Sequence, residues 1–166
     1  MHFAELPVEQ LMAGCSFIRS RSRGPGGQHR NKVETAVVIV HQSTGLRGAA
    51  SERRSQLQNR LLAIFRLRLQ LALEIRTERD PESCPSRLWC DRTRGGRIVI
   101  SSSHADYPAM VAELLDVLHT CDQDFKAAAV QLQSTPSQLV RLLKRQSVAW
   151  QRVGQQRAAR GLPPLR

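Results

Sequence analysis

The residues with the most chemistry to offer stand in one short segment, Arg21-Ser22-Arg23-Gly24-Pro25-Gly26-Gly27-Gln28-His29-Arg30-Asn31-Lys32. Its three glycines and one proline exclude a helix or strand interior, so it reads as a loop. Gln28 neither gives nor takes a proton near neutral pH. Arg19, Arg21, Arg23, Arg30 and Lys32 surround it with positive charge. A bare backbone tip on a cationic stem suits close approach to a polyanion. The local sequence holds no Ser/His/Asp or Cys/His set, no carboxylate pair and no metal-ligand spacing. His29 could act as a base, but a solvated or phosphate-contacting histidine is the simpler reading. Neither a Walker pattern nor GxGxxG opening a helix is present, and a strand follows, which argues against a nucleotide cradle. What remains is catalysis by positioning: main-chain N–H groups aimed at developing charge need no titrating side chain. Gly26 and Gly27 permit backbone angles and close contacts that a β-carbon blocks. Gln28 would present its N–H while its side chain shapes the space for a water. A basic linker is the plain alternative for the same residues.

The flanking sequence supplies elements to hold such a loop. Pro7 to Ala13 predicts a short helix, and Cys15-Ser16-Phe17-Ile18 a strand leading into the loop. Val33 to His41 is dense in β-branched residues and reads as a buried strand. Ser43-Thr44-Gly45 is a turn, after which Leu46 to Ala50 returns as a second strand. Ser55-Gln56-Leu57-Gln58 is a capping box. The helix it opens places Leu57, Leu61, Phe65, Leu69 and Ala72 on one face, widened by Leu62 and Ile64, with Arg60, Arg66, Arg68 and Arg76 pointing elsewhere.

Composition shifts at Asp80-Pro81-Glu82-Ser83-Cys84-Pro85-Ser86, a proline-broken polar stretch that reads as a linker. Arg94-Gly95-Gly96-Arg97 predicts a hairpin turn between strands at Leu88-Trp89-Cys90 and Ile98-Val99-Ile100-Ser101. Two helical stripes follow: Val111, Leu114, Leu115 and Leu118, entered near Asp106 and Pro108, then Phe125, Ala128, Ala129 and Leu132. Thr135-Pro136-Ser137-Gln138 is a second capping box, and the next helix carries Leu139, Val140, Leu142 and Leu143. The fold class expected is α+β, a short sheet packed by a long helix, followed by a mostly helical region. The domains expected are 1–78, a linker at 79–87, and a basic helical domain at 88–166.

The chain has 166 residues, 41% of them hydrophobic, enough for a core, and a formal net charge of +11. Arginine dominates the cations, and its planar fork matches phosphate geometry, so nucleic acid is the first partner to consider. No acidic residue follows Asp124, which concentrates charge on Arg141, Lys144, Arg145, Arg152, Arg157, Arg160 and Arg166. Met1 to Ser16 has no basic leader and no long apolar core, and no apolar run spans a bilayer, so the cytoplasm is expected and a membrane partner is not. The four cysteines, Cys15, Cys84, Cys90 and Cys121, lack a CxxC pair; free thiols are favoured over zinc, and no metal or cofactor is expected.

The segment Ser16 to Ile75 resembles the catalytic domain of class I peptide chain release factors. The matches run in order: Arg21-Ser22, Gly24-Pro25-Gly26-Gly27-Gln28, Asn31-Lys32-Val33-Glu34-Thr35-Ala36-Val37, Thr44-Gly45, Glu52-Arg53, and Ser55-Gln56 with Asn59-Arg60. The resemblance implies that Gly26, Gly27 and Gln28 enter the peptidyl transferase centre. There Gln28 would help water attack the ester between peptide and transfer RNA, its N–H stabilising the transition state or the leaving oxygen. It also implies the large ribosomal subunit, ribosomal RNA and P-site peptidyl-tRNA as partners of a monomer. Arg21, Arg23, His29, Arg30, Lys32, Arg141, Lys144, Arg145, Arg152 and Arg157 are the candidate RNA contacts. Three positions depart from the family pattern: Arg23 for the second serine before Gly-Pro, Arg30 for a small apolar residue, and Val38 for an arginine. Only about fifteen residues precede the first strand, too few for a stop-codon-reading domain. The chain thus looks like the stand-alone, ribosome-rescue branch, a peptidyl-tRNA hydrolase that needs no codon.

Two other functions stay open on sequence. A ribosome- or RNA-binding factor without hydrolysis is motivated by Arg23 and Arg30. A DNA-binding regulator is motivated by Ala128 to Leu139, which resembles a helix-turn-helix with Gln133 in place of the customary turn glycine. Two antiparallel helices packing a core are the favoured reading of that stretch, and core is the favoured place for Trp150.

Overall fold

Val37, Val38, Ile39 and Val40 build β2, Ala36–His41, the middle strand of an antiparallel sheet ordered β1-β2-β3. β-Branched side chains suit a pleated strand covered on one face, and Ala36, Val37, Ile39 and His41 are buried. β1, Cys15–Ser20, pairs with it from Cys15↔His41 to Ser20↔Ala36. β3, Arg47–Ala50, pairs from Val40↔Arg47 to Val37↔Ala50. The turn between β2 and β3 closes with Gly45 N–H donating to the His41 carbonyl at 2.8 Å. A short helix α1, Val8–Ala13, enters from Pro7 and leads into β1. The computed structural model describes residues 1–20 and 35–165. The glycine loop and the start of the predicted strand at Val33 therefore lie outside the described residues.

The long helix α2, Gln56–Glu74, opens where predicted, with the Ser55 hydroxyl accepting from Gln58 N–H at 3.4 Å. Its inward face agrees with the expected one at Ile64 and Ala72, which are buried, and departs from it at Leu57 and Leu61. Leu57 and Leu61 are 65% and 60% exposed, whereas Ala63, Ile64, Leu67 and Leu71 are buried. The cause is the closeness of β3. A β-carbon on Gly48 would stand 2.0 Å from the Ala63 carbonyl oxygen and 2.6 Å from the Leu67 nitrogen. Strand and helix backbones touch there, so a small residue, Ala63, faces the sheet, and the larger leucines of the predicted stripe rotate outward. Arg68 also turns inward against expectation: its Nε and Nη2 both donate to the Ala4 carbonyl, at 2.9 and 2.6 Å.

These elements belong to one compact unit, Phe3–Leu71; the other comprises Met1–His2 and Ala72–Arg166. In the second unit the residues on both sides of Asp80–Ser83 are bonded to α4, Tyr107–Thr120. Ser86 gives its N–H and hydroxyl to the buried Glu113 carboxylate, at 2.7 and 2.5 Å. Thr77 N–H and Arg79 reach Asp116, one turn further on, both at 3.1 Å.

Leu88–Cys90, expected as a strand, is helical within α3, Arg87–Asp91. Ser86 caps it by accepting from Trp89 N–H at 3.1 Å, and the buried Trp89 donates from Nε1 to the Leu132 carbonyl at 2.9 Å. Capping and burial of the indole outweigh the β propensity of this stretch. The predicted Gly-Gly turn is present, joining the short strands β4, Thr93–Arg94, and β5, Arg97–Ile98; the strand expected over Ile98–Ser101 keeps only Ile98, because β4 offers two residues to pair with. The predicted stripes of α4 and of α5, Phe125–Gln131, are buried. Thr135 caps α6, Pro136–Lys144, with Pro136 in the first turn. Gln138 bonds β5 rather than reaching back, its Oε1 accepting from Ile98 N–H at 3.3 Å. Gln133, where a helix-turn-helix places glycine, takes a φ of +47°. The last helix is α7, Ser147–Ala159. The whole is α+β, a small sheet packed by a long helix together with a helical region.

Candidate functional site

The described residues end on both sides of the glycine loop, and they meet. Ser20 and Ala36 are the last pair of the β1–β2 ladder, so the two ends of the intervening segment are held side by side. Asn59, fully buried in the first turn of α2, secures one of those ends. Its Nδ2 donates to the Thr35 carbonyl at 2.7 Å and to the Arg53 carbonyl at 2.9 Å, and its Oδ1 accepts from Arg53 N–H at 2.9 Å. A carboxamide can satisfy this mixed set of donors and acceptors where a carboxylate or alkyl group cannot. Asn59 is a positioning residue to which sequence reasoning gave no role, although its place in the ordered motif set was visible.

The connection from β3 to α2 is fixed as firmly. Arg66 donates to the Ala49 carbonyl at 2.7 Å and pairs with Glu52 at 2.6 Å. That hydrogen bond, helped by the main-chain N–H groups of Glu52 and Ser51, holds the Glu52 carboxyl down to about 2. On β1 the ring of Phe17 is 43% exposed and carries the Arg60 guanidinium 5.1 Å from its centroid.

Gly26, Gly27 and Gln28, with Arg21, Arg23, His29, Arg30 and Lys32, lie outside the described residues. The other five predicted cations differ in their environments. Arg141 is exposed, and no described residue bonds its guanidinium. Lys144 is exposed with its Nζ 5.0 Å from the centre of the Trp150 ring, which is half-buried rather than core. Arg145 is exposed and donates to the Ile100 carbonyl at 2.5 Å. Arg152 is half-buried: it donates to the Leu73 carbonyl at 2.9 Å and pairs with Glu74 at 2.5 Å. Arg157 is 9% exposed and faces inward. It donates to the carbonyls of Gln123 and Pro163, with its guanidinium 5.6 Å from the centre of the Phe125 ring. Its charge is committed inside the unit, which a basic tail in sequence does not reveal.

All four cysteines are free. Cys84 is half-buried beside the Glu113 carboxylate, and burial with that charge pushes its thiol up to about 12. No group of three His, Cys, Asp or Glu side chains among the described residues could hold a metal ion. No described helix is long and apolar enough to cross a membrane.

Two paired strands, one of them secured at its entry by a buried asparagine at the start of a long helix, thus flank in sequence the segment that contains Gly-Gly-Gln. The RF-1 domain family matches residues 12–94, and the chain belongs to that family, as a peptide chain release factor-like protein. It is 44% identical over 78 residues to the chloroplastic peptide chain release factor PrfB1 of Arabidopsis thaliana, covering 47% of this chain and 16% of that protein. It is 57% identical over 67 residues to peptide chain release factor 1 of Chlorobaculum tepidum, covering 40% of this chain and 19% of that protein. It is 49% identical over 51 residues to the mitochondrial peptide chain release factor 1-like protein of Rattus norvegicus, covering 31% and 14%. The chain thus spans under a fifth of the length of these curated relatives. No solved structure matches it.

Proposed function

We propose that this protein hydrolyses the ester of peptidyl-tRNA on stalled ribosomes without reading a codon, releasing the nascent chain. Gly26-Gly27-Gln28 enters the peptidyl transferase centre of the large subunit. A water oxygen bonds to the ester carbonyl carbon, the bond to the 3′ oxygen of the P-site transfer RNA breaks, and a proton from that water ends on the 3′ oxygen, leaving a free peptide carboxyl group and a 3′ hydroxyl. The main-chain N–H of Gln28 donates to the oxygen on which charge develops, and its side chain bounds the space for the water. The observation that carries this reading is the family match over residues 12–94, which contains the tripeptide and the frame at its base. Release independent of a codon is supported by what accompanies that match, a helical unit whose cations after Asp124 have no acidic residue among them. Phosphate contacts of that kind anchor a protein to ribosomal RNA without reading sequence. The protein acts as a monomer, with Arg21, Arg23, His29, Arg30 and Lys32 lining the approach to RNA.

The test is peptide release from ribosomes stalled on mRNA lacking a stop codon, with wild type beside Gly27→Ala. Release by wild type that disappears in the variant, with ribosome binding intact, is the expected result. No release from either, with binding intact, would replace this reading by that of a non-catalytic ribosome factor.

A further inference from the structure

Arg94 and Arg97 face each other across the β4–β5 hairpin, the last pair before its two-residue turn. Directly opposed residues on an antiparallel pair point to the same side, with β-carbons about 5 Å apart. Both are exposed, and no described residue bonds either guanidinium. Two like charges so placed destabilise a hairpin. The turn itself is built to hold them there. Gly95 and Gly96 take φ of +54° and +76°, the left-handed pair that a two-residue hairpin needs.

The hairpin is fixed to the helical unit at three levels. Ser134 donates from its hydroxyl to the Gly96 carbonyl at 2.8 Å, Gln138 accepts from Ile98 N–H at 3.3 Å, and Arg145 donates to the Ile100 carbonyl at 2.5 Å. Gln138 in α6 and Arg145 at its C-terminal cap meet the hairpin and the segment just after it, and Arg141 stands between them, three and four residues away, at the spacing that shares a helix face. No described residue bonds its guanidinium either. Three arginines that no described residue bonds thus stand on two elements hydrogen-bonded to each other.

We propose that Arg94 and Arg97, flanked by Arg141, form a fork that takes consecutive phosphates of an RNA backbone. An anion between the paired guanidinium groups turns their repulsion into attraction, and each fork matches two phosphate oxygens. That the phosphates belong to RNA rests on the function proposed above; the fork rests on the hairpin geometry alone.

The experiment measures binding of the full chain to a fluorescein-labelled RNA stem-loop by anisotropy, across a salt series. The R94Q/R97Q variant is expected to bind about tenfold more weakly, with the slope of log K against log salt reduced by about 1–2. The R47Q/R54Q variant, which removes the same charge at two exposed positions of the sheet unit, is expected to change affinity less than about twofold. Removal of the like-charge pair is also expected to raise the Tm of the free protein by about 1–2 °C. Unchanged binding in R94Q/R97Q, equal losses in both variants, a lowered Tm, or duplex DNA displacing the RNA more effectively than unlabelled stem-loop would each overturn the proposal. Peptide release separates this proposal from the function it rests on. A wild type that releases no peptide while the fork variant still loses RNA binding defeats the hydrolase reading and leaves the fork standing. Release by wild type with no binding difference defeats the fork alone.

Discussion

Asn59 Nδ2 lies 2.7 Å from the Thr35 carbonyl oxygen, a bond across twenty-four positions that joins the first turn of the long helix to the residue entering β2. Together with its two bonds to Arg53, it makes one buried side chain the meeting point of strand, connection and helix. Asn59→Ala would leave the carbonyls of Thr35 and Arg53 and the Arg53 N–H without that partner. A loss of about 3 kcal/mol is expected in chemical denaturation, since each buried unsatisfied group costs about 1–3 kcal/mol and water recovers part of it. Peptide release should fall further than the folded fraction does. A midpoint equal to wild type would show that Asn59 positions nothing.

Gly48→Ala is expected to destabilise the sheet unit by about 3 kcal/mol or more. The added methyl meets the Ala63 carbonyl and the Leu67 nitrogen, which are backbone atoms that no rotamer change can move. Thermal denaturation followed by circular dichroism reads the effect. A variant as stable as wild type would mean that β3 and α2 separate at little cost.

Arg157 and Arg141 should behave as opposites. Arg157→Gln removes contacts to two carbonyls and the packing over Phe125, and is expected to cost about 2–3 kcal/mol of stability while RNA affinity of the folded protein is unchanged. Arg141→Gln is expected to shift stability by less than about 0.5 kcal/mol and to weaken RNA binding. Paired melting and anisotropy measurements on the two variants decide it; a reversed pattern would contradict the placement of both side chains.

His41 gives the sheet unit a dependence on pH. Its ring is 4% exposed, lies edge-on to Phe3 at 4.7 Å and bonds the Thr44 hydroxyl through Nδ1 at 2.9 Å. Burial disfavours the imidazolium, so the folded-state value lies below the ordinary 6.5. The unfolded chain therefore takes up its proton first as pH falls. The stability that this difference supplies is complete above 6.5 and is lost as pH falls through the lower folded value. Denaturation midpoints should decline from neutral pH toward pH of about 5, and His41→Gln should flatten that decline. An equal slope in wild type and variant would assign the pH dependence to other groups.

Where local chemistry decides structure, the sequence was readable. The β-branched run of β2, the Ser55 and Thr135 caps, the Gly-Gly turn and the apolar stripes of α4 and α5 all declare themselves within a few residues. Tertiary demands were hidden. Arg-Gly-Ala-Ala reads as an indifferent strand, and only the approach of α2 makes Gly48 indispensable. Leucines surround α2 so fully that periodicity could not select its inward face; the Gly48 contact does. Arg157 is one of several tail arginines by type, and its burial depends on carbonyls that arrive from elsewhere in the fold. For the candidate site, the residue types around Gly26-Gly27-Gln28 suggested positioning chemistry. The asparagine that ties down its frame carried a visible motif but no visible role.

The Arg157 guanidinium also has a bearing on how the molecule is handled. It joins the Gln123 carbonyl, in a corner where Asp122 and Gln123 take φ of +48° and +65°, to the Pro163 carbonyl beyond the end of α7. The segment around Pro163 is therefore fastened, through Arg157, to the corner between α4 and α5. A protein shortened after Arg160 would keep every helix in its sequence and lose that fastening.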